Sequence, residues 1–192
     1  TLTLFSRRLV LRDREVAGTV HVVGGVIRAV EEDRQAPDAE DLGDDLLIPG
    51  LVELHTDHLE PHFAPRPKVN WDPLSAVFSY DAQIAASGIT TVFDSLRAGR
   101  DRDGNLVTER LNMLGEAIEA GKKTGLLRAD HHTHLRCEIC SEDVLVEARK
   151  HVARFDVRLM SLMDHTPGAR QFRDEETLRV YYRGKSNKTE AE

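Results

Sequence analysis

The sequence predicts an α/β chain in which a small β domain precedes a run of strand–helix units. Three observations carry this reading. Strand-like segments crowd the first 48 residues, and from Leu46 onward short apolar runs alternate with helical stretches. Seven of the nine histidines, His55, His58, His62, His131, His132, His134 and His165, fall in three clusters, each at the end of an apolar run.

Taken in order, residues 2–5 and 9–11 are short strand candidates, and residues 21–23 and 26–30 flank Gly24-Gly25, a two-residue hairpin signal. Residues 31–45 are acidic and poor in apolar side chains, which reads as a connecting loop. The expected domains are therefore 1–46, the small β domain, and 47–192, the strand–helix units.

In the second domain Asp72-Pro73 is an N-cap followed by proline at the first helical position. Leu74, Val77, Phe78 and Ile84 give this helix an apolar face and Gly88 a stop. Residues 89–94 form a β-branched run ending on Asp94. Thr108 caps a second helix, whose face is Leu111, Leu114 and Ile118 and whose end is marked by Gly121 and Gly125. A third helix starts at Ser141, with Glu142 and Asp143 in its first turn and Val144, Leu145, Ala148 and Val152 inward.

The strands then lie near 47–55, 89–94, 126–134 and 157–163. Four such units suit either an open doubly wound sheet or half of a (β/α)8 barrel, which needs eight units and about 250 residues. The polar ending, 183–192, is no close for a hydrophobic core, so more chain or missing segments are expected. A half barrel exposes sheet edges, which makes a homo-oligomer an expectation too.

At 192 residues, 40% apolar and 31% charged, the chain has the composition of a soluble globular protein. No apolar run approaches the roughly 18 residues of a membrane helix, residues 1–6 lack signal-peptide character, and a cytoplasmic location is the default. A net charge of −7 disfavours nucleic acid or an anionic membrane as partner. An anionic substrate would need local Arg, Lys or metal charge.

The first cluster places His55 and Asp57 two apart at a strand end, where both project to one face and reach a common ion at roughly 2.0–2.2 Å. The second, His131-His132-Thr133-His134-Leu135-Arg136-Cys137-Glu138, offers Glu138 and at least one imidazole, His134 among them. The third ends the fourth strand on His165. Cys137 and Cys140 match C-x-x-C; without a second pair a four-thiolate zinc site is excluded, leaving buried thiols, a metal contact or a redox pair. Arg66, Lys68, Arg97, Arg136 and Arg170 follow the strands and suggest a locally positive mouth suited to phosphate. No phosphate-binding glycine loop and no nucleophile elbow is present.

Pro49-Gly50-Leu51-Val52-Glu53-Leu54-His55-Thr56-Asp57 resembles the first-strand signature of the amidohydrolase superfamily, with Asp57 where that signature has a second histidine. The longer run 53–67, with 94–97, 131–139 and 164–172, is similar to a narrower group. That group comprises the diphosphatases that act on α-D-ribose 1-methylphosphonate 5-triphosphate in the carbon–phosphorus lyase pathway. The resemblance implies a TIM-like metal-dependent hydrolase barrel, of which about the first four units are present, with a small N-terminal β domain. It further implies one or two divalent ions (Zn, Mn, Fe or Ni) and release of pyrophosphate from a phosphorylated ribose phosphonate, leaving the 5-phosphate.

On this reading His55, Asp57, Glu138, His165 and His134 are metal ligand candidates, and Arg66, Lys68, Arg97, Arg136 and Arg170 bind the substrate. The general base is expected to be a carboxylate absent from these 192 residues. The alternatives are a C–N hydrolase of the same superfamily, acting on a cyclic amide or aminated base, and a catalytically incomplete metal-binding fragment.

Overall fold

The computed structural model describes residues 1–66, 68–99, 107–166, 174–177 and 179–180. They form two compact units, Thr1–Gly50 and Leu51–Glu192.

In the first unit β1 (Leu2–Val10) pairs antiparallel with β2 (Glu15–Val23), which pairs with β3 (Val26–Glu32). Gly24 and Gly25 take φ of 59° and 78°, the left-handed pair that a tight hairpin between right-twisted strands requires. The two short strands expected before residue 12 are one strand, interrupted by a register shift between Ser6 and Leu9. Ser6 Oγ donates to Asp45 O at 2.6 Å and accepts from Arg8 N, so the shift is held by its own hydrogen bonds. β4 (Glu40–Asp41) and β5 (Leu46–Leu47) lie parallel to β1, within the stretch read as loop and at its end. Leu46 and Leu47 thus belong to this sheet, and the next strand starts at Leu51, beyond Pro49-Gly50.

The second unit is a parallel sheet of β6 (Leu51–Thr56), β7 (Ile89–Ala98), β8 (Asp130–Glu138) and β9 (Val157–Met163), in that order. Between them run α1 (Leu59–Phe63), α2 (Pro73–Ala86), α3 (Val107–Thr124) and α4 (Val144–Val152). Val92, Leu96 and Ala98 of β7 and Leu135 and Cys137 of β8 share one core with Val77, Tyr80, Leu114, Ile118 and Ala148 of the helices. Chain-ordered parallel strands with their helices on one face make part of a barrel; a doubly wound sheet would reverse its order and carry helices on both faces. The edge strands β6 and β9 expose Val52, Leu54, Met160 and Leu162. Among the described residues no helix is long and apolar enough to cross a membrane.

The local signals were uneven. Asp72 caps α2 as expected, its Oδ1 accepting from Ser75 N at 2.8 Å. α3 begins at Val107, so Thr108 lies inside it, and it runs through Gly121. A Cβ on Gly121 would meet Val77 at 3.2 Å, so this glycine serves close packing rather than helix termination. β8 starts at Asp130, four residues after the expected 126. α4 begins at Val144 rather than Ser141, and its inward face is Val144, Glu147, Ala148 and His151; Leu145 and Val152 are exposed. Two polar residues on the buried face are why apolar periodicity misassigned it. Arg170 and the polar ending 183–192 lie outside the described residues.

Two buried histidines sit on the helix side. His131 Nδ1 lies 2.9 Å from Asp94 Oδ2 and its Nε2 lies 3.3 Å from Asp81 Oδ1, all three side chains being sealed from solvent. Burial opposes charge on His131, but the hydrogen bonds and charges of Asp94 and Asp81 raise its pKa above the ordinary value. Asp81 also accepts from the backbone of Arg128 and Ala129, fixing the chain just before β8. His151 packs on Phe155 at 4.4 Å, and burial, helped by the charge of Arg154, pushes its pKa down to about 4.

His131→Ala is expected to cost about 3–5 kcal/mol, because it takes the imidazole from the buried Asp94 and one of several partners from Asp81; urea denaturation measures it, and a loss under 1 kcal/mol would refute the network's role. His151 gives a pH dependence of known sign. Between about pH 6.5 and 4 the unfolded chain binds a proton that the folded chain does not, so stability falls on acidification by up to about 1.4 kcal/mol per pH unit. His151→Leu should flatten that slope in denaturation series across this range.

Candidate functional site

β8 sorts its residues by parity. His131, Thr133, Leu135 and Cys137 are buried toward the helices, while His132, His134, Arg136 and Glu138 alternate with them. The second set meets the ends of β6 and β9. His134 Nδ1 donates to Leu54 O at 3.1 Å and its Nε2 accepts from Ser161 Oγ at 2.8 Å, so one imidazole ties three strands. Burial and the neighbouring His55 lower its pKa, which keeps it neutral. The His55 and His134 rings meet edge to face at 5.0 Å.

The two candidate carboxylates have similar company. Asp57 Oδ1 accepts from Arg136 NH1 at 2.5 Å and lies 3.8 Å from His55 Nε2. Glu138 accepts from Arg97 NH2 at 3.3 Å, from His165 N at 3.2 Å and from the His165 imidazole. Each carboxylate thus stands between an imidazole and a guanidinium. A cavity of about 410 Å³ is lined by His55, Arg136, Ser161, Asp164 and His165, among others.

Of the other candidates, Arg66 and Lys68 are exposed, and Lys68 has a left-handed φ of 64°. Neither lines that cavity. His62 Nε2 pairs with Gln83 at 2.7 Å, His132 lies against Phe93, and His131 belongs to the core network. Cys137 is buried and Cys140 exposed, both as free thiols, and Cys140 lies outside α4. Arg170 lies outside the described residues.

Imidazole and carboxylate donors are the right chemistry for a divalent cation. Among the described residues, however, no three His, Cys, Asp or Glu donors gather closely enough to hold one. The positive partners of Asp57 and Glu138 in this arrangement are Arg136 and Arg97.

Sequence reasoning missed Ser161 and Gly99. Ser161 is a small polar residue inside the apolar run Leu159–Met163 of β9, and that break in pattern was its signal. Gly99 follows β7 with φ of 98°, donates to Glu147 at 2.7 Å and sits where a Cβ would come 3.1 Å from that of Glu138. No local motif announces this.

No family model matches the chain. A search of curated proteins finds it 47% identical over 186 residues to the α-D-ribose 1-methylphosphonate 5-triphosphate diphosphatase of Escherichia coli (strain K12). The chain resembles that diphosphatase. The match covers 96% of the chain and 49% of the relative, so the chain spans about half the length of the curated relative it matches. Among solved structures, N-acetyl-D-glucosamine-6-phosphate deacetylase from Mycobacterium smegmatis superposes with a TM-score of 0.58 at 16% identity, over 88% of this chain and 49% of that one. A D-hydantoinase gives 0.48 at 18% identity, over 94% and 37%. The chain shares the fold of that deacetylase over this span, and its four chain-ordered parallel strands make part of a barrel.

Gly99→Ala is expected to destabilise by about 1–3 kcal/mol, since the new Cβ combines a left-handed φ with a 2.9 Å approach to Ser141 Cβ. Thermal denaturation checks it; an unchanged melting temperature would mean that the turn behind Glu138 yields freely.

Proposed function

We propose that this chain carries the strand-end ligands of a metal-dependent hydrolase of phosphonate metabolism. Its reaction would be release of pyrophosphate from α-D-ribose 1-methylphosphonate 5-triphosphate, leaving the 5-phosphate. The observation that carries this reading is the 47% identity to the diphosphatase across nearly the whole chain. The site supports it by setting Arg136 and Arg97 beside Asp57 and Glu138. A polyanionic substrate uses guanidinium groups in a way that a neutral cyclic amide does not.

His55, Asp57, Glu138 and His165 would hold one or two divalent ions, Zn, Mn, Fe or Ni, with His134 the further candidate. A bound ion supplies Lewis acidity and a water whose pKa approaches neutrality. The chain's own residues do the rest. Arg136, on the cavity wall, offers planar N–H donors to phosphoryl oxygens and balances charge gathering on the departing pyrophosphate. Arg97 does the same from β7. Neutral His134, donating to Leu54 O, keeps β6 in register with β8, so that His55 and Asp57 face the β8 residues. Arg66, Lys68 and Arg170 would reach the substrate's outer phosphates, and the general base would come from another carboxylate.

We further place the protein in the cytoplasm, where free Cys137 and Cys140 persist as thiols.

His55→Ala should lower pyrophosphate release from the ribose triphosphate by more than the 10–100-fold typical of losing a ligand's supporting partner. Assaying pyrophosphate and ammonia together separates the alternatives. Ammonia from an aminated base with no pyrophosphate would favour the C–N hydrolase, and unchanged turnover in the variant would remove His55 from the site.

A further inference from the structure

β7 ends where two other elements crowd it. The β7–β8 ladder makes its last pairing at Ala98 and Cys137, and one residue later the chain turns at Gly99 with a φ of 98°. There the buried Gly99 N–H donates to Glu147 Oε2 of α4 at 2.7 Å. A helix carboxylate, itself nearly sealed from water, thus supplies the acceptor that the partner strand no longer offers. A Cβ at Gly99 would lie 2.9 Å from Ser141 Cβ and 3.1 Å from Glu138 Cβ, so this turn is pressed against the end of β8 and the segment leading to α4.

Arg97 stands two residues before the turn. Leu96 and Ala98 on either side of it are buried in the helix-side core, so Arg97 projects to the opposite face, directly across from Arg136 in the parallel register. Glu138 accepts from its NH2 at 3.3 Å. Two like charges opposite each other on neighbouring strands repel, and an anion lying between them relieves the repulsion. The backbone at the end of β7 sets the point from which the Arg97 side chain reaches that anion.

We propose that Glu147 is a positioning residue for anion binding: by holding the Gly99 amide it fixes the end of β7, and so aims Arg97 at the phosphoryl oxygens that it shares with Arg136. The inference rests on the phosphate reading of Arg97 above and requires no bound metal. What it demands of Glu147 is an acceptor oxygen at the right reach, not a charge.

The test measures binding of inorganic pyrophosphate to the 192-residue chain by calorimetry, in excess EDTA so that no metal takes part, with circular dichroism confirming that each variant is folded. Arg97→Gln should weaken binding by about 10–100-fold, the worth of one charge-assisted contact. Glu147→Asp keeps the charge but falls short of Gly99, and should approach the same loss. Glu147→Gln keeps the reach and an acceptor oxygen, and should bind as the wild type does. In the double variant Glu147→Asp with Arg97→Gln the losses should not add, since both remove one contact; a merely structural Glu147 would lower stability without producing this pattern. Gly99→Ala, which displaces the same turn without touching Glu147, should show the same loss and the same non-additivity, and it carries the test if Glu147→Asp does not fold. Wild-type affinity in Glu147→Asp, or losses that add in the double variant, would overturn the role of Glu147 while leaving a weakened Arg97→Gln to keep Arg97 in the site. An equal loss in Glu147→Gln and Glu147→Asp would overturn it too. Unchanged affinity in Arg97→Gln, or no binding by the wild type, would remove the phosphate reading of Arg97 and this inference with it.

Discussion

The alternation along β8 is the constraint on which both the core and the site depend. Its odd-numbered residues, from His131 to Cys137, complete the packing under α2, α3 and α4, and its even-numbered residues face the ends of the neighbouring strands. A slip of one residue would push Arg136 and Glu138 toward the core and expose Leu135. Asp81 guards against that slip by gripping the backbone of Arg128 and Ala129 and the ring of His131 together. A buried charge network on the far side of the sheet thus sets the register of the side that carries the candidate site.

That division explains what could be read from the sequence. Proline, glycine and capping residues act locally, so the Gly24-Gly25 turn and the start of α2 at Asp72-Pro73 were legible. The strand-end positions of His55 and Asp57, after Pro49-Gly50, were legible for the same reason, whereas the third strand was expected to end at 134 and runs to Glu138. Burial of polar groups is not local. His131 resembles His134 in sequence, yet one joins two carboxylates in the core and the other spans three strands. Strand alternation sets the two on opposite faces, but nothing in residues 131–134 says which face meets the helices; the partner that marks it is Asp81, some fifty positions away.

α4 and the start of β8 make the same point. Leu126 and Leu127 look like the opening of a strand, but Asp81 captures the backbone immediately after them, and pairing begins only at Asp130. On α4 the buried stripe spends two of its positions on Glu147, which holds the Gly99 amide, and on neutral His151. The arginines were recognised as cations, but their pairing with Asp57 and Glu138 emerges only once β6, β7 and β8 lie side by side.

The parity of β8 also separates the two thiols of the chain. Cys137 lies on the helix side, where burial pushes its pKa up, whereas Cys140, past the end of the strand, is exposed and bonds with Asp164 and Thr166. An alkylating dye applied to the folded protein would therefore mark one position selectively, two residues from Glu138. The fold comes with a built-in attachment point for a spectroscopic reporter at the rim of the site, with no engineered cysteine required.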